Sequence, residues 1–125
     1  METKELMIGD KVMVKVLSQI PDTYVLHTWT AYDYSRDIQV KPIPLTPEIL
    51  EKNGFVLRGK TYILKWRGAD IHWRKTDGYA SITAPNNLKL EGWCSISNGY
   101  FCYVHILQHA QRLCGLDELA DDFKV

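Results

Sequence analysis

The sequence predicts an α+β fold: a small N-terminal three-stranded SH3-like β unit, a short helix, and a four-stranded antiparallel meander covered by a C-terminal helix. Three observations carry this. Apolar residues alternate at strand period near the start and again through the middle of the chain; an apolar stripe at helical spacing follows near the end; and between the two β regions lies a short segment with complete helix punctuation. With 125 residues, 46% of them apolar, the chain has material for one core and reads as a single domain. Within it, 1–42 is the β unit, 46–54 the short helix, 61–97 the meander and 103–115 the C-terminal helix.

Residues 11–16 alternate Lys11, Val12, Met13, Val14, Lys15, Val16, which puts three valines on one face of a strand. Pro21-Asp22 interrupts it, Tyr24 to Ala31 is β-branched and aromatic, and Asp33 to Arg36 is a polar turn before Asp37 to Val40. In the next element Thr46 is the cap, Pro47 the first helical residue, and Glu48 the complement to the positive end of the helix dipole. Gly54 supplies a left-handed residue past the end, with Phe55 and Leu45 placed to touch Leu50.

Two turns organise the meander. One at Gly68-Ala69 would pair Trp66 with Ile71 and Leu64 with Trp73; another at Asp77-Gly78 would pair Trp73 with Ile82 and Lys75 with Ala80. Leu64, Trp66, Ile71, Trp73 and Ile82 then share an inner face, while Lys65, His72, Arg74, Ser81 and Thr83 point outward. Leu88, Leu90, Cys94 and Ile96 extend the inner face as a fourth strand, with Lys89, Glu91 and Trp93 turned away. In the last helix Ile106, Leu107, Ala110, Leu113 and Cys114 form an apolar stripe, and His105, Gln108, His109 and Arg112 form a polar one, read as solvated. Gly115 ends it; Asp117 to Asp122 either adds a turn or frays.

Composition narrows the function classes. Fifteen basic and fifteen acidic residues cancel, so no long-range field gathers nucleic acid or an anionic membrane, and such binding would need a local patch. Three cysteines without a C-x-x-C pair read as reduced thiols of a cytoplasmic protein. The charged start lacks the apolar region of a signal peptide, and no apolar run is long enough to span a bilayer.

Two stretches, Lys41-Pro42-Ile43-Pro44-Leu45-Thr46-Pro47-Glu48-Ile49-Leu50 with Gly54-Phe55, and Tyr103-Val104-His105 with Leu107-Gln108, carry a family resemblance. They resemble small uncharacterised proteins of phages, prophages and mobile elements of Bacteroidetes, with a "PIPLT" helix opening and a "VHxLQ" C-terminal helix; Ile8-Gly9 fits a further motif near the start. His109 stands where that pattern has Asn. The resemblance implies a phage or mobile-element accessory protein in the host cytoplasm and transfers no activity.

Three sets of residues could carry chemistry. Cys102, His105 and His109 lie at one-turn spacings suited to a metal, but without a Glu between the histidines this is not the metalloprotease motif, and neither metal nor cofactor is expected. Lys65, His72, Arg74 and Trp93 would project together from the outer face, cationic donors beside an aromatic plate, as suits an anionic, ring-containing ligand. Trp29, Tyr32, Tyr34 and Arg36 gather at a strand end and turn, either as a recognition surface or as a satellite cluster closing the β unit. No nucleophile–base pair, phosphate-binding Gly-rich loop or other catalytic motif is present, so no catalytic residue is assigned and binding outweighs catalysis.

The leading expectation is a non-catalytic accessory protein that binds and sequesters or blocks a host molecule, either a small anionic nucleotide-like immune signal or a host protein. The alternatives are a small nucleic-acid-binding module and a small phosphodiester hydrolase. No membrane partner is expected, and self-association is left open.

Overall fold

The computed structural model describes residues 5–16, 23–35, 38–85 and 93–125, with no side chain described from 84 to 99. The α+β reading holds at this level. Strands β1 (Lys11–Val16), β2 (Thr23–Thr28) and β3 (Val40–Lys41) form an antiparallel sheet of order β2-β1-β3. After helix α1 (Pro47–Lys52), strands β4 (Val56–Arg58), β5 (Thr61–Trp66), β6 (Ala69–Arg74), β7 (Tyr79–Pro85) and β8 (Trp93–Tyr100) form a second antiparallel sheet in chain order. Helices α2 (Val104–Leu113) and α3 (Asp117–Asp121) complete the chain.

Alternation along β1 works on both faces. Val12 is fully buried with Leu6, Trp29 and Val40 in a small core, to which Val14 adds; Met13, on the opposite face, packs against the main core. The main core lies between the five-stranded sheet and the helices, and includes Leu45, Leu50, Phe55, Tyr62, Ile71, Trp73, Ile82, Leu107 and Phe123.

Helix α1 is as its sequence dictates. The Thr46 hydroxyl accepts from the Ile49 N–H at 3.3 Å, and Pro47 opens the first turn. At the other end Gly54 has φ +85°, the Phe55 N–H donates to Leu50 O and the Gly54 N–H to Glu51 O, which is a Schellman motif with Leu50 and Phe55 both buried.

The meander keeps its expected faces with a different register. The first turn is Arg67-Gly68, not Gly68-Ala69, and it pairs Trp66 with Ala69, Leu64 with Ile71 and Tyr62 with Trp73. Both turn residues have positive φ, +47° and +84°, as a two-residue type I′ turn requires, and moving the turn back buries Ala69 within the sheet. The second connection spans Lys75 to Gly78 rather than two residues, so Ile82 faces Ile71 and Ala80 faces Trp73. Each pairing is displaced by two residues, an even shift, and so no side chain of β5, β6 or β7 up to Thr83 changes face; β8 pairs with β7 through a register shift between Ile82 and Thr83. Trp73 is buried and donates its indole N–H to Phe101 O at 2.9 Å. Trp66, expected in the core, is only half-buried, with the Arg67 guanidinium 4.5 Å from its ring and Arg67 paired to Glu118 at 2.8 Å. The predicted continuation through Leu88 and Leu90, with Lys89 and Glu91, lies outside the described residues.

The two stretches that carry the family resemblance run side by side. The Leu45 N–H donates to Cys102 O, the Val104 N–H to Ile43 O, both at 2.9 Å, and Pro44 bridges Tyr103. That pairing sets the start of α2. The helix then departs from its expected orientation: Leu113, assigned to the apolar stripe, is 73% exposed, while His105, Gln108 and Gln111 are buried. Its polar stripe faces the N-terminal sheet, not solvent. No helix among the described residues is long and apolar enough to cross a membrane.

Candidate functional site

The outer face of the five-stranded sheet carries an ordered row of side chains. Arg58 pairs with Thr61, Thr61 with Arg74, and Tyr79 with Tyr100, and the register of β6 against β7 sets Arg74 beside Tyr79. One line of cations and aromatics therefore crosses all five strands. The Arg74 guanidinium lies 5.2 Å from the Tyr79 ring centre, and Tyr79 meets Tyr100 edge-on at 5.3 Å. Tyr100 is 63% exposed. Ile63, His72 and Ser81 form the next row and Lys65, Asp70 and Thr83 the one after.

Of the outer-face residues expected from sequence, Lys65 and Arg74 are exposed and His72 is half-buried. Trp93 pairs with Pro85 at the start of β8, with its side chain outside what is described. Arg74 is not a bare cation. Its Nε donates to Asp77 Oδ1 at 2.7 Å and its Nη2 to Asp77 Oδ2 at 2.5 Å, and these bonds hold the Asp77 carboxyl down to about 2. The fork fixes the guanidinium plane over the sheet and leaves Nη1 for another acceptor. Part of the positive charge is neutralised in return, which weakens Arg74 as an attractor of distant anions.

The N-terminal aromatic set resolves into different parts. Trp29 is fully buried and meets the rings of Tyr34 at 5.7 Å and His27 at 6.4 Å, so it closes the small core and cannot touch a ligand. The polar turn is a 3-10 helix over Ala31–Ser35, built around buried Asp33, whose Oδ2 takes the Thr30 N–H at 2.8 Å, the Thr30 hydroxyl at 2.9 Å and the His27 ring at 2.7 Å. Burial pushes the Asp33 carboxyl up, but these donors outweigh it and hold it below the ordinary value. The Tyr34 hydroxyl donates to Leu6 O, Tyr32 is 70% exposed, and Arg36 lies outside the described residues.

The buried polar stripe of α2 meets the turn before β1. Asp10, fully buried, takes the Met7 N–H at 2.8 Å and His109 Nε2 at 2.5 Å on Oδ2, and Arg112 Nη1 at 2.5 Å on Oδ1. Burial alone would raise its carboxyl; the bonds from His109, Met7 and Arg112 outweigh it and keep the group ionised below its ordinary range. Gln108, also fully buried, takes the Lys11 N–H at 2.9 Å and donates to Gly9 O and Ala120 O at 3.0 and 2.9 Å. Gly9 is required here by both conformation and space: its φ is +94°, and a Cβ would stand 2.7 Å from Arg112 Nη2 and 2.8 Å from Asp121 Oδ1. The Asp10–His109 pair resembles a catalytic dyad only in composition, because both Asp10 oxygens are engaged and sealed from solvent. This network is a clasp between the two ends of the chain.

For the candidate metal set, Cys102 is exposed, His105 is buried and His109 is committed to Asp10. No group of three or more His, Cys, Asp or Glu among the described residues could hold a metal ion.

Sequence reasoning missed Arg58, Tyr79 and Tyr100. A signal existed for two of them: Tyr79 has the parity of Ser81 and Thr83, and Gly59, at φ +64°, separates two short runs that pair as β4 and β5. Tyr100 was missed because the meander was ended at residue 97. No family model, curated protein or solved structure matches this chain.

Proposed function

We propose that the chain is a non-catalytic binding protein that acts by occupancy, holding a small anionic, ring-bearing ligand of nucleotide type on the outer face of its five-stranded sheet. The observation that supports this is the cross-strand row Arg58, Thr61, Arg74, Tyr79, Tyr100, in which two charged donors at one end adjoin two exposed aromatic rings at the other. Stacking on sheet-borne aromatics with a nearby guanidinium is how proteins hold unpaired bases and their phosphates. As an accessory protein of a phage or mobile element, it would withdraw such a molecule from the host. The zero net charge favours a small ligand over a long polyanion.

A copurification experiment tests this. The protein is denatured and the released small molecules are identified by mass spectrometry, and binding of a mononucleotide and of a single-stranded oligonucleotide is then titrated against wild type, Arg74→Ala and Tyr100→Ala. The expected result is mononucleotide binding released unchanged, weakened in both variants, with a salt slope of only about −1 to −2 for one or two neutralised phosphates. Tight oligonucleotide binding with a steep salt slope would replace this reading with the nucleic-acid module, and a cleaved product with turnover would replace it with the hydrolase, His72 then being the first candidate base. Unchanged binding in both variants would remove the sheet face from consideration.

A further inference from the structure

The end of the five-stranded sheet beside Arg58 and Arg74 concentrates positive charge. β4 turns into β5 through Gly59-Lys60, and β6 leaves the sheet through Lys75. The Lys75 N–H donates to Lys60 O at 2.8 Å, which brings the two turns side by side. Arg58, Lys60, Arg74 and Lys75 are therefore neighbours at one rim, and all four are exposed. In a chain of zero net charge this is a local excess. Among the described residues Asp77 is the one carboxylate paired to it, through Arg74, while Arg58, Lys60 and Lys75 have no ion-pair partner.

The cluster is elongated. Strand alternation sends Arg58, Thr61 and Arg74 to the outer face, and the lysines, next to Thr61 and Arg74 in the chain, carry the charge past the strand ends. Neighbouring strands lie about 4.8 Å apart, so the stems of the two arginines, on β4 and β6, start roughly 10 Å from each other with Thr61 between them. The Thr61 hydroxyl has no hydrogen-bond partner among the described residues. A Cβ at Gly59 would meet nothing within 4 Å, so the rim is open where the first turn crosses it. With Asp77 engaged by Arg74 through both oxygens, what the cluster offers a ligand is donors.

That span selects among anions. A single phosphate is satisfied by one guanidinium and cannot meet cations at both ends of the cluster. A chain of two or three phosphates carries its charge along a line, accepts at every oxygen, and relieves the mutual repulsion of the four cations. The two tyrosines stand at the other end of the same row, with Arg74 against Tyr79. We propose, on the strength of that reading of the sheet face, that the ligand is a nucleoside di- or triphosphate, its base on Tyr79 and Tyr100, its first phosphate on Arg74, and its distal phosphates across Thr61 to Arg58, Lys60 and Lys75.

The test is calorimetry of the full chain with AMP, ADP and ATP at constant ionic strength, in chelator so that magnesium does not compete for the phosphates. Adenosine nucleotides serve because stacking on an aromatic side chain accepts any base. Affinity should rise with each added phosphate, by about tenfold or more from AMP to ATP. Lys60→Ala combined with Lys75→Ala should weaken ATP by about tenfold and AMP by no more than about twofold. The melting temperature should not change, because both side chains are exposed. Inorganic tripolyphosphate should bind more weakly than ATP, since it brings no ring to the tyrosines. The proposal is overturned if ATP does not bind at millimolar concentration, if AMP and ATP bind equally, or if the double variant binds ATP as wild type does. Failure of the underlying reading has a different signature: Tyr100→Ala then leaves ATP unaffected and tripolyphosphate binds as tightly as ATP. Equal binding of AMP and ATP leaves the mononucleotide reading standing, whereas binding without the ring removes both.

Discussion

Asp10 and Arg112, 102 residues apart in the chain, meet at 2.5 Å with the carboxylate fully buried and the guanidinium side chain only 10% exposed. Removing one member of such a pair strands the other in a medium that solvates it poorly. Asp10→Ala is therefore expected to cost ~3–5 kcal/mol, read from urea denaturation followed by circular dichroism. A loss below about 1 kcal/mol would mean that the clasp contributes nothing to stability.

The same carboxylate gives the protein an acid limit. The Asp10 carboxyl is held below its ordinary value in the folded state, so its contribution is complete above the unfolded value, about pH 4, and is lost as pH falls through the lower folded one. Asp33 and exposed Asp77 are shifted in the same direction. The urea midpoint should therefore fall as pH drops below about 4. In Asp10→Asn the midpoint should be lower at neutral pH and change less over that interval. An identical pH slope in the variant would assign acid sensitivity to other groups.

Gly9 and Gly59 separate strain from crowding. Both have positive φ, but a Cβ at Gly59 meets nothing within 4 Å, whereas one at Gly9 collides with Arg112 and Asp121. Gly59→Ala should cost about 1 kcal/mol from conformation alone. Gly9→Ala should cost more, because the clasp must open to admit the methyl group. Equal melting temperatures for the two variants would contradict the close approach at Gly9.

The tryptophans of β5 and β6 are predicted to differ. Trp73→Ala removes a buried ring and leaves Phe101 O without its indole donor, for ~3–5 kcal/mol. Trp66→Ala removes a half-buried ring under Arg67 and should cost less than half as much. Similar losses would show that Trp66 bears on the main core more than its exposure implies.

What was legible in the sequence was local. The caps of α1 depend on Thr46, Pro47 and Gly54, all within one short segment, and each occupies its expected position. The faces of the meander survived an error in both turns because side-chain direction in a strand depends only on odd or even spacing, and both errors were even. Of the four residues of the sheet-face row only Arg74 was legible: Tyr79 has the right parity but lies beside the turn, and Arg58 and Tyr100 sit on strand segments beyond the expected meander. The polar stripe of α2 was misread for a different reason. His105, Gln108, His109 and Arg112 have the spacing of a solvated face, and only the arrival of Gly9, Asp10 and Lys11 from the far end of the chain makes that face an interior. Periodicity reports that a face is polar, not whether its partner is water.

That clasp also sets the order in which the chain can complete itself. Its bonds join residues 97 to 102 positions apart, so during synthesis Gly9, Asp10 and Lys11 emerge long before the helix that satisfies them exists. Closing a loop of that length is an entropic toll levied before the contacts reward it, and topologies dominated by such closures fold slowly. The N-terminal sheet therefore spends the translation of most of the chain without its docking surface, and its consolidation waits on α2, whose Gln108, His109 and Arg112 supply every one of these long-range bonds.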